Sequence, residues 1–170
     1  TVTFDVNPEI EVSQGSTVLV DGVSTVAFDD TQLGSSRDVV ITITNIGLTD
    51  LDLNGAPDKI ALSTGTQWSV VSQPTSPIAF GDSVNFTLRF TPTSAGVKTD
   101  TVTIDNDDPN EDPFTFNLSG ECLPGPGSVD TSWQVTANNN ANTVALNASD
   151  DTWLGGAFTT INALNRKRFA

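Results

Sequence analysis

Val84-Asn-Phe-Thr-Leu-Arg-Phe90, Thr99-Asp-Thr-Val-Thr-Ile104 and Phe114-Thr-Phe-Asn-Leu118 are three consecutive stretches in which apolar and polar residues alternate. In the first, Val84, Phe86, Leu88 and Phe90 fall on one side of an extended chain, with Asn85, Thr87, Arg89 and Thr91 on the other. A period of two marks a half-buried strand. Pro92 and Gly96 turn the chain between the first two stretches, and the polar run Asp105-Asn-Asp-Asp-Pro-Asn-Glu-Asp112 separates the second from the third. The whole segment from Val84 to Leu118 is predicted to be a sandwich-forming meander.

The flanking sequence repeats this grammar. Ile10 and Val12 alternate after Pro8, and Val2, Phe4 and Val6 alternate before it. Thr17 to Val20 runs into Asp21-Gly22, a pair suited to positive φ, and Val26 and Phe28 resume an extended segment. Val39, Ile41 and Ile43 alternate with Val40, Thr42 and Thr44, and Asn45-Ile-Gly47 closes that segment as a turn. Between Asn54 and Gly81 the pattern weakens to two short apolar pieces, Ile60 to Leu62 and Trp68 to Val71, interrupted by Gly and Pro. A long helix is excluded there, and Trp68 is assigned to the core. Seven or more short strands at roughly ten-residue spacing predict an all-β sandwich. Pro124-Gly-Pro-Gly127 suits no strand or helix interior and marks a boundary, with a second unit starting near Ser128.

The chain has 170 residues, 36% of them hydrophobic, enough for one full core and a small second unit. Its net charge is −14, with a pI near 4.1, which repels phosphate backbones and anionic membranes. No apolar run reaches the length of a membrane span, and the first residues show neither an initiator Met nor a signal pattern, so the chain is read as processed or cut from something longer. Cys122 stands alone and is read as an incidental thiol. Histidine is absent, which removes the commonest neutral-pH base and metal ligand and leaves carboxylates as the only candidates for a catalytic site.

Several segments together carry a family resemblance: Pro8-Glu-Ile-Glu-Val12, Val39 to Gly47, Phe80-Gly-Asp-Ser-Val-Asn-Phe-Thr-Leu-Arg-Phe-Thr-Pro92, Ala95-Gly96, Ile104-Asp-Asn-Asp-Asp-Pro and Phe114 to Gly120. Residues 8–121 resemble the immunoglobulin-like repeat of abnormal-spindle/hydin type, seen in bacteria as the choice-of-anchor D module. The resemblance implies a Greek-key sandwich of seven strands serving as a spacer or adhesive module, secreted or on the cell surface, with no catalytic centre. Its shared positions are structural, so no functional residue carries over. Residues 128–170, through Val129 to Trp133, Asn142 to Leu146 and Trp153 to Asn162, resemble one delta-sixty repeat, whose tandem copies form β-propeller blades. The expected organisation is an N-terminal strand extension (1–7), an immunoglobulin-like Greek-key sandwich (8–121), a Pro/Gly linker (122–127) and a small strand-rich, blade-like unit (128–170).

Two groups of residues are candidate sites. Asp105, Asp107, Asp108, Glu111 and Asp112 place five carboxylates within eight residues, and calcium, the one cofactor this loop admits, takes many oxygen ligands. The loop lacks the Gly and Glu positions of an EF-hand, and a solvated polar loop is the competing reading. The second group is an assembly set: Val2, Phe4 and Val6 as an unpaired strand, and Arg166, Lys167 and Arg168 as a basic end facing the acidic sandwich of a neighbour. Asn85, Asn117 and Asn147 begin Asn-X-Ser/Thr triplets, the N-glycosylation acceptor pattern. The function expected is a non-catalytic structural or adhesive module of an extracellular surface protein or filament, assembling by strand addition with itself or with neighbouring domains. The alternative is a calcium-dependent module for carbohydrate or protein.

Overall fold

A computed structural model describes residues 6–125, 136–146, 152–161 and 164–165. Contacts divide the chain into two units, Thr1–Ser128 and Val129–Ala170. Val2, Phe4, Trp133, Asn147 and Arg166 to Arg168 lie outside the described residues, as do Pro126 and Gly127 of the linker. Val6 is described; it is 60% exposed and lies in no strand.

In the first unit, strands form where β-branched and aromatic residues alternate with Ser, Thr and Asn. They are β1 (Ile10–Gln14), β2 (Thr17–Val18), β3 (Thr25–Gln32), β4 (Arg37–Asn45), β5 (Ala61–Leu62), β6 (Trp68–Ser72), β7 (Ser83–Phe90), β8 (Gly96–Ile104) and β9 (Phe114–Leu123). One sheet has the order β2-β1-β4-β7-β6 and the other β3-β9-β8-β5. Neighbours are antiparallel except β3, which runs parallel to β9 with Thr25 opposite Asn117 and Gln32 opposite Leu123. The inner faces supply the core: Ile10, Val12, Ile41, Ile43, Phe86, Leu88 and Phe90 from one sheet meet Val26, Phe28, Val102, Ile104, Phe116 and Leu118 from the other. Trp68 is 2% exposed and belongs to this core, as its sequence context implied.

The three stretches around which the sequence was read do form strands, but not one meander. β7 lies in the first sheet, and the Thr91–Ala95 turn carries the chain across the sandwich to β8 and β9 in the second. Alternation fixes which residues face inward, whereas sheet membership follows from the span of the turn, and Pro92 with Gly96 at φ 94° makes a crossing turn instead of a tight hairpin. On the solvent face of the first sheet, Arg89 forms a two-pronged ion pair with Asp38 across β4 and β7, both bonds 2.7 Å, in the register Asp38 opposite Arg89. These hydrogen bonds, and then the attraction of the opposite charges, lower the Asp38 carboxyl and raise the Arg89 guanidinium from their ordinary values.

The described part of the second unit is an antiparallel hairpin, β10 (Ala141–Leu146) with β11 (Thr152–Gly156), and a two-residue pair, β12 (Thr160–Ile161) with β13 (Leu164–Asn165). Asn138 ties this region together: its Oδ1 accepts from the amides of Thr159 and Thr160 at 2.9 and 3.0 Å, and its amide donates to the Thr159 hydroxyl at 2.9 Å.

Candidate functional site

The acidic loop between β8 and β9 is not a solvated hairpin tip. Asn106 and Asp108 are 1% and 0% exposed, and most of the loop carboxylates accept hydrogen bonds from backbone amides. Asp107 accepts from Asp52 N at 2.8 Å, Asp112 from Asn106 N at 3.1 Å, and Asp108 from Ile10 N at 2.9 Å and Asn110 N at 3.1 Å. The Asn106 amide donates to the carbonyls of Ile104 and Glu111, and its Oδ1 accepts from Asp108 N. Asp105 is exposed, and its carbonyl accepts from Asn54 N. A loop that buries this much backbone must satisfy it internally, and short Asn and Asp side chains do so.

The five carboxylates singled out in the sequence therefore do not converge. Asp107 and Asp112 bind separate amides and Asp105 is not part of the group, while Asp108 and Glu111 come together with Glu9, each contributing a carboxylate oxygen, all within 4.8 Å of one another. Glu9 could not be found from the sequence, because it is brought there by the bond from Ile10 to Asp108 across 98 residues. Burial, followed by the charges of Asp108, Glu9 and Asp21, holds the Glu111 carboxyl above its ordinary value of 4.5. A raised carboxylate weakens the fold as pH climbs from the unfolded-state value through the folded one, and that cost is fully present at neutral pH. Glu111→Gln is accordingly expected to raise stability at pH 7 by about 0.5 kcal/mol and to leave it unchanged near pH 3. Paired thermal melts at the two pH values check this, and equal shifts at both would contradict it.

A second buried carboxylate occupies the inward phase of β8. Asp100 stands where the alternation with Val102 and Ile104 calls for an apolar residue, a departure visible in the sequence though not exploited there. It is 6% exposed, and its oxygens accept from Thr64 N (3.0 Å), the Thr64 hydroxyl (2.8 Å), Gly65 N (3.0 Å) and Thr101 N (2.8 Å). Burial pushes its pKa up, but these four bonds outweigh it and hold the carboxyl below 3.8. A lowered acid contributes stability above the unfolded value and loses it as pH falls through the folded value. Asp100→Asn is expected to cost about 1–2 kcal/mol at pH 7. The gap between variant and parent should close in acid, as read by urea midpoints between pH 2 and 7.

The family model described as "Abnormal spindle-like microcephaly-assoc'd, ASPM-SPD-2-Hydin" (ASH) matches residues 17–113. The chain belongs to the ASH family. The match stops short of β1 and β9, which the structure shows to complete the ASH sandwich. Among solved structures, the ASH/PapD-like domain 7 of human CEP192 resembles the chain with a TM-score of 0.52 at 13% identity, covering 73% of this chain and 92% of that one. The VesB protease of Vibrio cholerae has a TM-score of 0.49 at 12% identity over 68% of this chain, which spans only 32% of the protease. No curated protein sequence matches. ASH domains are non-catalytic modules that mediate protein interactions. The propeller reading of residues 128–170 finds no support in these comparisons.

Proposed function

We propose that the chain is a non-catalytic spacer and interaction module of a secreted or cell-surface protein, joined in series to neighbouring domains or to copies of itself. The observation that carries this reading is where the chain enters and leaves the ASH sandwich. Ile10 begins β1 at the end occupied by the acidic loop, since Asp108 holds its amide, whereas β9 starts from that loop and runs ten residues to Leu123 at the opposite end. At about 3.3 Å per residue the two points are separated by roughly 33 Å, the arrangement a tandem connector needs. The alternating Ser, Thr and Asn on the outer faces and the acidic net charge suit an extracellular surface.

Assembly through the ends, by strand addition at residues 1–6 or by the basic segment Arg166 to Arg168, is the finer form of this proposal. Sedimentation of the chain at high concentration tests it. Concentration-dependent association that disappears on deleting Thr1 to Val6 or reversing the three C-terminal charges is the expected result. A monomer at every concentration would remove it.

A second reading is favoured by the convergence of Glu9, Asp108 and Glu111: a calcium ion would neutralise the mutual repulsion of these three carboxylates. At a hundredfold excess over its dissociation constant, calcium would stabilise the sandwich by about 2.7 kcal/mol. A melting temperature identical in calcium and in chelator would dismiss this site.

A further inference from the structure

The solvent face of the β3-β9-β8 sheet carries a cleft of about 560 Å³, and its lining is unusual for this chain. Two cross-strand rows form its floor. Thr25, Asn117 and Thr101 stand opposite one another on β3, β9 and β8, and Ser119 and Thr99 on β9 and β8 form the next row. Ser63 and Thr64 rise beside β8 as a wall. That wall is held rigid: Ser63 N donates to the Thr101 carbonyl at 3.0 Å, and the buried Asp100 binds Thr64 and Gly65 through both carboxylate oxygens.

Three properties of this cleft select a ligand. Its lining carries little charge for a chain of net −14: Asp100 is the one charged residue in it, and that buried carboxylate directs its oxygens to the wall and to Thr101 N. Its polar groups retain hydrogen-bonding capacity: among the described residues the hydroxyls of Thr25, Ser63, Thr99 and Ser119 have no protein partner, and the Asn117 side chain is engaged only through its oxygen, by the Thr101 hydroxyl at 3.3 Å. It also lacks the Trp, Tyr and Arg anchors that dominate protein–protein contacts. Hydroxyls donate and accept, and an amide adds two donors, so the array matches a ligand that is itself a dense set of hydroxyls. A wall fixed before binding lowers the ordering cost of such a weak polar site.

We infer that this cleft is a binding site for neutral oligosaccharide, independent of any metal. The inference rests on the non-catalytic module reading and gives it a ligand class. Without an aromatic platform the affinity expected is low, with a dissociation constant of roughly 1 mM.

The test is a titration of the full chain in EDTA with maltohexaose, cellohexaose or chitohexaose, followed by amide chemical shifts. The result expected is saturable movement of Thr25, Thr99, Thr101, Asn117 and Ser119 with at least one of the three. The variant T25V/T99V/S119A, which removes three hydroxyls while keeping strand-compatible side chains, should weaken that binding about tenfold. A control, T42V/T44V on the opposite sheet, should leave it unchanged. No saturable shift with any of the three sugars, binding unaltered in the triple variant, or a response to a Ser/Thr-rich peptide alone would overturn the inference. A native chain already glycosylated at Asn117, which would fill the cleft from within, would do the same. None of these outcomes bears on association through the ends, so the two readings fail separately.

Discussion

Phe90→Ala is expected to lower the stability of the sandwich by about 3–5 kcal/mol, the range for truncating a fully buried aromatic ring. Phe90 is 0% exposed and sits where the sheets meet: its ring stacks on Trp68 at 4.6 Å and 26°, and lies tilted 55° to Phe28 at 5.8 Å. Trp68 meets Phe28 edge-on at 6.1 Å and 68°. Its buried indole N–H has no hydrogen-bond partner among the described residues, so packing of these rings must offset that cost. Across the core, a Cβ added at Gly120 would lie 2.8 Å from the Phe90 ring, showing that the ring fills the space the glycine leaves. Truncation therefore opens a cavity that the neighbouring backbone cannot readily close. Against a typical domain stability of about 5–15 kcal/mol the loss is large. Urea unfolding should show a lower midpoint with an unchanged slope. A change under about 1 kcal/mol would mean that Trp68 and Phe28 collapse into the space.

Asn45→Ala should cost nearly as much by a different route. Asn45 is fully buried at the end of β4, where its amide donates to the carbonyls of Thr49 (2.7 Å) and Ile78 (2.9 Å) and its Oδ1 accepts from Gly47 N (3.0 Å) and, more distantly, Glu9 N (3.5 Å). One side chain thus joins three separated segments. Gly47 completes the arrangement, since a Cβ there would collide with the backbone of Asn7, Pro8 and Glu9. Removing the amide takes away the bonds to the Thr49 carbonyl and the Gly47 N–H and one of the two made to the Ile78 carbonyl, which keeps Leu51 N, at about 1–3 kcal/mol for each group left unpaired where water cannot reach. A loss of about 3 kcal/mol, or a fall in melting temperature of roughly 10 °C, is expected. Asn45→Asp is the companion variant: it keeps the acceptor but sets a buried carboxylate oxygen against the Thr49 and Ile78 carbonyls, so at pH 7 it is expected to lose at least as much as Asn45→Ala, and a stability equal to the parent would mean that the two carbonyl bonds contribute little.

These two residues also show how far the sequence could be read. Alternation placed Phe86, Leu88, Phe90, Val102, Ile104, Phe116 and Leu118 on inner faces because burial imposes a period of two on any half-buried strand, and the structure buries all seven. It could place Asn45 only at a turn, because the partners of its side chain lie as far away as Ile78. The same limit applied to the acidic loop. Its composition suggested ligands, but which carboxylates converge depends on where β1 docks, and most are engaged by amides as remote as those of Ile10 and Asp52. Asp100 was the legible exception, a charge in an inward phase. The hydroxyl-lined cleft left no trace in any one segment, since its floor is assembled from rows across β3, β9 and β8.

The parallel pairing of β3 with β9 has a mechanical consequence. Once β1 and β2 have been drawn out of their sheet, a pull applied through the two ends of the sandwich draws β3 toward one end and β9 toward the other, along the strand direction. Their ladder from Thr25–Asn117 to Gln32–Leu123 is then loaded in shear, with its rungs strained together instead of unzipped singly. Resistance to extension should therefore be concentrated at this seam. In single-molecule stretching, Thr31→Pro, placed in β3 just past its register shift, should lower the rupture force far more than the equivalent change in β6, and equal effects would place the resistance elsewhere. In the proposed connector role, this seam is what would carry tension from one neighbour to the next.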